Sequence, residues 1–156
     1  MIKKLKERGV PIAGVGLQNH HLLNWPAIAE VDATIGAFAK LGLKVSITEL
    51  DVDVLPRTTQ PGADYAVDIA LTPKLNPYIS GLPEPVQTRL ARRYAALFRV
   101  FLKHRDVIDR VTFWGVSDGS SWLNNWPIKG RTNHPLLFDR LGRPKPALQA
   151  IIETQH

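Results

Sequence analysis

Apolar and polar positions along the chain alternate in segments that predict strands and helices in turn. Residues 44–53 begin with β-branched apolar side chains and end in carboxylates, a pattern typical of a buried strand that reaches a polar rim. Because successive side chains of a strand point to opposite faces, we expect Glu49 and Asp51 to continue the row of Val45 and Ile47. The sequence therefore predicts a central strand with two acids on its core-facing side.

A strand and a helix precede this segment. Residues 10–20 predict a short strand of small residues, in which Gln18 and His20 share one face by the period of two. Residues 26–41 predict a helix, because apolar side chains recur at three and four residues until Gly42 stops the pattern. A strand, a helix and a strand in this short space form a βαβ unit with parallel strands, so both polar strand ends should lie at one rim.

A long proline-rich loop, residues 54–83, interrupts this pattern, and residues 64–71 within it are compatible with a short helix. The clearest helix of the chain follows at residues 84–104 and has one apolar face. We expect the basic side chains of this helix to lie largely outside that face: Arg89, Arg92, Arg93 and Lys103.

The chain ends with a third strand and a last helix. Residues 106–110 predict a turn, and residues 111–116 predict a buried strand that again runs into polar residues. Residues 146–153 predict the closing helix. At the other end, residues 2–8 resemble the last turns of an amphipathic helix that Gly9 terminates.

Composition limits the class of protein. With 156 residues, 44% of them hydrophobic, the chain can bury the core of one domain, but a complete eight-stranded α/β barrel typically needs about 250 residues. The absence of cysteine excludes disulfides, thiolate nucleophiles and Cys-based metal sites. The net charge of +6 comes from scattered basic residues, so we expect solvated faces and no nucleic-acid partner. The apolar segments are too short to cross a membrane, and no export signal is visible.

The polar strand ends would bring together the residues that could do chemistry. Six candidates would share the rim: Gln18, His20, Glu49, Asp51, Trp114 and Trp122. Indole rings stack on the apolar face of a sugar while carboxylates and amides bind its hydroxyls, so this set suits a carbohydrate. Glu49 is the first candidate for catalysis, and an imidazole beside it could hold and tune the carboxylate. Taken singly, each residue also fits an ordinary structural role in a cap, a turn or a core.

Other kinds of site are not favoured. The adjacent His20 and His21 would point apart on a strand, and no His-x-x-x-His pair follows them, so we expect no metal site. The pair Gly14 and Gly16 lacks the third glycine of a dinucleotide fingerprint. The sequence contains no Gly-x-Ser-x-Gly elbow for serine catalysis. We therefore expect no cofactor.

Several motifs follow one another in an order and spacing that cover nearly the whole chain. They are Gly14-Val-Gly-Leu-Gln-Asn-His20, Ile47-Thr-Glu-Leu-Asp51, Val111-Thr-Phe-Trp-Gly-Val-Ser-Asp118, Ser121-Trp-Leu123, Pro135-Leu-Leu-Phe-Asp139 and Pro144-Lys-Pro-Ala147. Together they resemble the carboxyl-terminal portion of glycoside hydrolase family 10, the endo-β-1,4-xylanases.

The resemblance implies an α/β fold and an enzymatic function. Residues 1–156 would be the C-terminal portion of the catalytic domain and would form strands six to eight of a partial TIM (β/α)8 barrel with their helices. The whole enzyme would be a retaining endo-1,4-β-xylanase that acts on xylan or xylo-oligosaccharides without a cofactor. Export to the extracellular space or the periplasm is expected by the same resemblance.

The resemblance also implies roles for the candidate residues. Glu49 would be the catalytic nucleophile, with His20 hydrogen-bonded to it and Asp51 supporting His20. The substrate-binding residues would be those around the sugar next to the scissile bond: Gln18, Trp114 and Trp122. Hydrogen bonds to the ionised form of the nucleophile would favour the charge that it needs.

One part of the family pattern is absent. Retaining hydrolysis requires a second carboxyl group about 5 to 5.5 Å from the nucleophile. In the family, this acid/base is a Glu that follows an Asn on an earlier strand, and the chain contains no Asn-Glu dipeptide. We therefore expect a fragment that lacks the acid/base and the N-terminal half of the barrel, that is marginally stable or associates, and that hydrolyses xylan very slowly if at all.

Two alternatives remain at this stage. The chain could be a non-catalytic remnant that binds polysaccharide through Trp114, Trp122 and Trp126, although the intact set of Glu49, Asp51 and His20 favours an enzyme. A basic nucleic-acid-binding α/β domain is the other alternative, and it predicts an affinity for DNA that falls steeply with salt.

Overall fold

A computed structural model describes residues 1–57 and 71–155. Its helices are α1 (Ile2–Glu7), α2 (Ile28–Ala39), α3 (Glu84–Lys103) and α4 (Pro146–Ile152), and its strands are β1 (Gly14–Leu17), β2 (His20–Leu22), β3 (Lys44–Asp53) and β4 (Ile108–Phe113). Short 3₁₀ turns occupy Pro73–Leu75, Asp118–Ser120, Trp122–Asn124 and Glu153–Gln155. The order of helices and strands agrees with the sequence pattern. The short helix expected at residues 64–71 lies outside the described residues except for Leu71.

The described strands form one parallel sheet with β3 in the middle. β1 and β2 pair with β3 in register, with Gly14 opposite Lys44 and His20 opposite Asp51. β4 pairs with the other edge of β3. The expected strand at residues 10–20 is therefore shorter and divided in two. Asn19 adopts a positive φ of 63° between the two halves, which interrupts regular pairing.

The two halves nevertheless follow one another along the same edge of β3. The Glu49 amide donates to the Gln18 carbonyl at 3.0 Å, and the Asp51 amide donates to the Asn19 carbonyl at 3.4 Å. These bonds continue the ladder across the break. The βαβ arrangement of β1, α2 and β3 is therefore confirmed as parallel, and the carboxyl ends of β2 and β3 lie side by side.

A β-bulge lies in β3 between Ile47 and Leu50, so Glu49 lies within it and Asp51 follows it. Ile47 pairs with Val111 and Leu50 pairs with Phe113, so three steps along β3 match two along β4. The extra residue changes the phase of the side chains that follow it, because strand side chains alternate with a period of two.

The bulge corrects one expectation from the sequence. Val45 and Ile47 are fully buried in the core before the bulge, whereas Leu50 and Val52 are fully buried after it. The acids therefore do not continue the core-facing row. Glu49 and the other carboxylates of β3 lie on the opposite face, where they line a cavity.

The third strand also differs from its predicted bounds. β4 begins at Ile108 and ends at Phe113, so the second half of the expected turn at residues 106–110 is already extended. Ile108 pairs with Val45, which explains the early start, since pairing with a neighbouring strand overrides the local polarity of Asp109 and Arg110.

The core lies between the sheet and its helices. Leu90, Tyr94 and Leu97 of α3 and Ile35 of α2 are almost completely buried against the apolar face of β3. Each fully buried leucine or isoleucine contributes roughly 1.5 to 3 kcal/mol to folding. The apolar face predicted for residues 84–104 is therefore confirmed.

Arg93 of α3 contradicts the expectation that the basic residues of this helix lie in solvent. Its side chain is buried, and it donates a hydrogen bond to the Pro26 carbonyl at 2.7 Å. Its position three residues after Leu90 and four before Leu97 places it on the buried face of the helix. A polar partner beneath the helix, and not solvent, accommodates the charge.

Candidate active site

The carboxyl ends of β2 and β3 and the segment after β4 surround a cavity of about 400 Å³. The residues that line it are Gln18, His20, His21, Glu49, Asp51, Asp53, Arg57, Trp114, Trp122, Leu123 and Trp126. All six candidates from the sequence belong to this set. The structure therefore brings together every residue that the sequence pattern singled out, while the roles given to them stay predictions.

His20 joins the two acids of β3. Its Nδ1 lies 2.9 Å from Asp51 Oδ1, and its Nε2 lies 3.1 Å from Glu49 Oε2. The first contact follows from the register, because His20 and Asp51 are paired residues of parallel strands and so project to the same side. Asp51 is buried, whereas Glu49 and His20 keep about a fifth of their side chains exposed to the cavity.

The surroundings of His20 favour its protonated form. Burial lowers the pKa of His20, but the hydrogen bonds and negative charges of Asp51 and Glu49 outweigh this effect, so the pKa lies above its ordinary value of 6.5. A protonated imidazole donates through both nitrogens, and each donation then meets a carboxylate oxygen. The ring can therefore hold Glu49 and Asp51 at once.

Indole rings form one wall of the cavity. The Trp122 ring lies 4.9 Å from the His20 ring, and the Trp114 ring meets the His20 ring edge-on at 6.5 Å. Trp122 Nε1 donates to Asp51 Oδ2 at 2.8 Å. Trp126 stacks on Trp122 with ring centroids 4.9 Å apart and an angle of 26° between the planes.

Some residues of the cavity were not among the six candidates. Asp53 could have been found, because it lies two residues beyond Asp51 on the same strand face. Its Oδ1 accepts from the Asn133 side chain at 2.7 Å and from the Leu55 amide at 2.9 Å, which indicates a structural role. Trp126 entered only as a binding residue in an alternative, and no local signal marked Arg57.

His21 belongs to a buried pair beside the site. Arg93 Nη2 lies 3.1 Å from His21 Nδ1, and because a guanidinium only donates, His21 Nδ1 must accept. Burial, followed by the positive charges of Arg93 and His20, lowers the pKa of His21 to about 4. His21 therefore stays neutral at the pH values where His20 changes its charge.

A second cavity, of about 430 Å³, lies where the N-termini of α3 and α4 meet the loops before them. Its buried cation is Lys145, which donates to Asp118 Oδ2 at 2.9 Å and to the His134 carbonyl at 2.8 Å. Burial lowers the pKa of Lys145, although the negative charge of Asp118 opposes this effect. The polar groups of this cavity hold two loops together.

The described part of the chain contains neither a metal-binding cluster nor a membrane-spanning helix. Across residues 1–57 and 71–155, no cluster of three or more His, Asp or Glu side chains is arranged to hold a metal ion. None of the helices in these ranges combines the length and the apolar character required to span a bilayer.

The arrangement around Glu49 suits nucleophilic substitution on a sugar. Glu49 Oε2 faces His20, which leaves Oε1 as the oxygen that can approach a bound molecule. The indole wall offers a flat apolar surface at the same place, as a pyranose ring requires. The chemistry that fits is attack of a carboxylate on an anomeric carbon held against tryptophan.

Comparison with protein families and curated proteins gives consistent matches along the chain. A family model described as glycosyl hydrolase family 10 matches residues 1–154. Endo-1,4-beta-xylanase A of Xylanibacter ruminicola is 42% identical over 154 residues, which are 98% of this chain and 42% of that protein. An endo-1,4-beta-xylanase of Geobacillus stearothermophilus is 39% identical over 152 residues, 97% of this chain and 42% of that protein. The chain thus spans less than half the length of these relatives.

Solved structures agree with these matches. A family 10 endoxylanase from a sugarcane soil metagenome superposes with a TM-score of 0.92 and 48% identity, covering 98% of this chain and 45% of that one. A mutant protein solved in complex with xylotriose superposes with a TM-score of 0.78 and 38% identity, covering 97% of this chain and 42% of that one.

Proposed function

Because the chain belongs to glycosyl hydrolase family 10, we propose that it carries the nucleophile side of a retaining endo-1,4-β-xylanase active site. The fold implied by its structural relatives is the TIM barrel. We assign residues 1–156 to the C-terminal portion of the catalytic domain, in which β1 with β2, β3 and β4 serve as strands six, seven and eight. Export from the cell remains a prediction from the resemblance.

In the proposed reaction, Glu49 Oε1 attacks the anomeric carbon of a xylose unit. A carbon–oxygen bond to Glu49 forms while the bond between the anomeric carbon and the departing oxygen breaks, and the departing oxygen keeps the electron pair of the broken bond. Water then attacks the anomeric carbon and gives one proton to the second carboxyl group, and the ester bond breaks to release the Glu49 carboxylate. His20 orients Glu49 by donating to Oε2, and Asp51 holds the imidazole from the other side.

The remaining candidates would bind the substrate. The Gln18 amide lies on the same cavity as Glu49 and can hydrogen-bond to hydroxyls of the sugar next to the scissile bond. Trp114 and Trp122 would stack against that sugar. A xylan or xylo-oligosaccharide is the proposed substrate, supported by the relatives that are named as xylanases and by the neighbour that holds xylotriose.

A second carboxyl group must complete the reaction on xylan, because the departing oxygen of a sugar needs a proton. Asp53 is a poor choice, since one of its oxygens is already bonded to Asn133 and Leu55. The family acid/base follows an asparagine, and no such dipeptide occurs in the sequence. We therefore propose that a segment outside these 156 residues supplies the acid/base.

One observation carries the proposal. A single imidazole bridges Glu49 and Asp51 at 3.1 and 2.9 Å at the wall of an indole-lined cavity. A carboxylate with a purely structural role needs a hydrogen-bond partner but does not need to be accessible from the cavity. Glu49 has both a partner and exposure to the cavity, as a nucleophile requires.

The proposal predicts covalent labelling of Glu49. A 2-fluoroxylobioside with a dinitrophenolate leaving group should form a stable glycosyl ester with the 156-residue chain, because dinitrophenolate departs without a proton from an acid/base. Intact mass followed by peptide mapping should locate the adduct on Glu49. Rapid labelling of another residue, or none in a folded chain, would contradict the assignment.

Two variants serve as controls for this labelling. Glu49→Gln preserves the shape of the side chain and should give no adduct. Asp53→Asn changes a carboxylate of the same cavity that we give a structural role, and it should still be labelled on Glu49. Circular dichroism of both variants would verify that the chain remains folded.

A polysaccharide-binding function is the second candidate, and the exposure of Trp114 favours it. Nearly half of this large side chain is in solvent at the rim of the cavity. Affinity electrophoresis in a xylan gel separates the candidates. A pure binder would be retarded by xylan and give no adduct with the fluoroglycoside, and Trp114→Ala would abolish the retardation.

A further inference from the structure

We infer that Trp126 is a positioning residue, which fixes the Trp122 indole so that Trp122 can orient the Asp51–His20–Glu49 row. The inference deepens the proposed function, because the last residue of the row is the proposed nucleophile. Trp126 stacks on Trp122, and Trp122 in turn lies beside His20. The resemblance implies for Trp122 only a role in the wall of the sugar-binding subsite.

Trp122 has two tasks that require different parts of the same ring. Its Nε1 donates to Asp51 Oδ2 at 2.8 Å, and its ring centroid lies 4.9 Å from that of His20, with 54° between the planes. A rotation of the indole in its plane, or about its side-chain bonds, would move the N–H away from the buried carboxylate. The bond to Asp51 therefore depends on how the ring plane is held.

Trp126 covers the indole of Trp122 and limits that rotation. The two rings are 4.9 Å apart and nearly parallel, with 26° between their planes, which is an offset stack. Stacking of large rings at this distance restricts tilting, because tilting would separate the rings or force them together. The hydrogen bond to Asp51 therefore fixes the orientation of the Trp122 ring within its plane, and the stack on Trp126 fixes the tilt of that plane.

The loop that carries both tryptophans is itself well anchored. The Asn124 side chain donates to the carbonyls of Asp118 and Ser121, each at 2.9 Å, and its oxygen accepts from the Asn133 amide at 3.0 Å. Leu123 and Ile128, on either side of Trp126, are buried. Trp126 is thus a fixed support and not the tip of a loose loop.

The remaining contacts transmit the position of Trp122 to Glu49. Asp51 Oδ1 is 2.9 Å from His20 Nδ1, and His20 Nε2 is 3.1 Å from Glu49 Oε2. Asp51 is almost completely buried, so it cannot replace a lost indole donor with bulk water at no cost. Displacement of Trp122 should therefore change the hydrogen bonding of His20 and the position of Glu49.

The test compares Trp126→Ala with Trp126→Phe by NMR of the labelled 156-residue chain. The Trp122 indole N–H signal is assigned by its loss in Trp122→Phe. In Trp126→Ala we expect its hydrogen exchange to be faster by about tenfold and the His20 ring nitrogen shifts to move. Trp126→Phe retains an aromatic stack and should restore both signals toward those of the original chain.

A matched control removes a tryptophan that takes no part in the row. Trp25 is largely exposed on the loop before α2, and Trp25→Phe should leave the Trp122 and His20 signals unchanged. If Trp126→Ala leaves both signals as they are, the inference is wrong. It is also wrong if Trp126→Phe disturbs the signals as strongly as Trp126→Ala does.

Labelling by the fluoroglycoside provides a separate readout. If the proposed function holds, Trp126→Ala should slow the covalent step by about tenfold while the concentration for half-maximal rate changes little, because the variant alters orientation more than sugar contact. If no variant is labelled, the proposed function fails, and the NMR comparison still decides whether Trp126 positions Trp122. If Trp126→Ala does not fold, Trp126→Leu provides a bulky non-aromatic side chain for the same comparison.

Discussion

A histidine between two carboxylates can donate to both only while its ring carries two protons. Burial opposes this doubly protonated form of His20, but the hydrogen bonds and negative charges of Asp51 and Glu49 outweigh burial and raise the pKa of His20 above 6.5. A raised pKa in the folded state contributes stability that is complete below pH 6.5 and is lost as the pH rises through the folded value. The hydrogen bonds that join His20 to Asp51 and Glu49 should therefore weaken as the pH rises through the pKa of His20.

We expect urea denaturation to show this loss. The free energy of unfolding should fall from pH 6 upward through the pKa of His20, because one of the two ring donors disappears. His20→Asn, which cannot titrate in this range, should lack that part of the pH dependence. An identical pH profile in the variant would exclude His20 as its source.

His21 should produce the opposite trend in acid. Its folded pKa is lowered to about 4, so its contribution to stability is complete above pH 6.5 and is lost as the pH falls toward 4. A fall of the pKa from 6.5 to about 4 corresponds to a loss on the order of 3 kcal/mol. His21→Asn keeps an acceptor for Arg93 but does not titrate, so its unfolding free energy should decline less between pH 7 and pH 4.

The comparison of the two stability curves checks this prediction. Carboxylates titrate in both proteins, so only the difference between the curves reports His21. A difference that stays constant from pH 7 to pH 4 would contradict the burial of a neutral imidazole beside Arg93.

At the residue scale, the contacts of His20 with Glu49 and Asp51 that the resemblance implied are present, whereas the buried pair of Arg93 and His21 was not predicted. Gln18 and Glu49 could be placed at one rim because the sequence changes from apolar to polar residues where each strand ends. The burial of Arg93 could not be foreseen, because its partner His21 is 72 positions away and charge alone argues for solvent. Spacing identifies a helix face, but only a distant partner decides whether a charge can occupy it.

At the scale of elements, α1, α3 and α4 could be predicted closely. α3 occupies Glu84–Lys103, against the expected residues 84–104. Helix periodicity and the glycine after α1 are local signals; Gly9 has a φ of +80° and its amide donates to the Lys6 carbonyl. The bulge of β3 and the early start of β4 are pairing effects between separate strands. The bulge at Glu49 and the start of β4 at Ile108 depend on the pairing of β3 with β4, and the sequence near either residue does not contain the other strand.

Gly115, which follows β4, offers a test of how an element is connected to the site. Its φ is +141°, and a Cβ atom there would lie 2.9 Å from Leu136 Cδ1. Gly115→Ala should therefore combine backbone strain with a collision in the core, each costing roughly 1 to 3 kcal/mol. Trp114 precedes this glycine, so the change should also displace the indole at the cavity.

Gly142 is the matched control for this prediction. It has a φ of +75°, but a Cβ atom added there would have no neighbour within 4 Å, so Gly142→Ala carries backbone strain only. Thermal or urea unfolding should show the larger loss for Gly115→Ala, by about 1 to 3 kcal/mol. Equal losses would mean that Leu136 moves aside freely.

At the scale of the whole molecule, the described sheet has two open edges. In the described ranges, β1 and β4 each pair with β3 on one side only. The face that carries Ser46 and Thr48 is only partly covered, and Arg110 beside them is exposed. Unpaired parallel strands with an uncovered face favour association. We expect light scattering after size exclusion to show a molar mass that rises with protein concentration.

Complementation would test the proposed division of the active site. A separately expressed N-terminal half of a family 10 relative, with its Asn-Glu pair, should increase xylan hydrolysis by the chain, because it would supply the proton donor that dinitrophenolate makes unnecessary. The same half mixed with the Glu49→Gln chain should remain inactive. No gain in turnover despite formation of a complex would contradict the proposed division.

The bulge between Ile47 and Leu50 has a consequence for how this site can change over time. Adding or deleting one residue within the bulge would exchange the two faces of the strand after it, so that Leu50 and Val52 would face the cavity and Asp51 would be forced among aliphatic groups. Point substitutions can alter this part of the protein gradually. A single-codon length change in β3 would disrupt the proposed site and the packing together, so we expect natural length variation to be confined to the connecting loops.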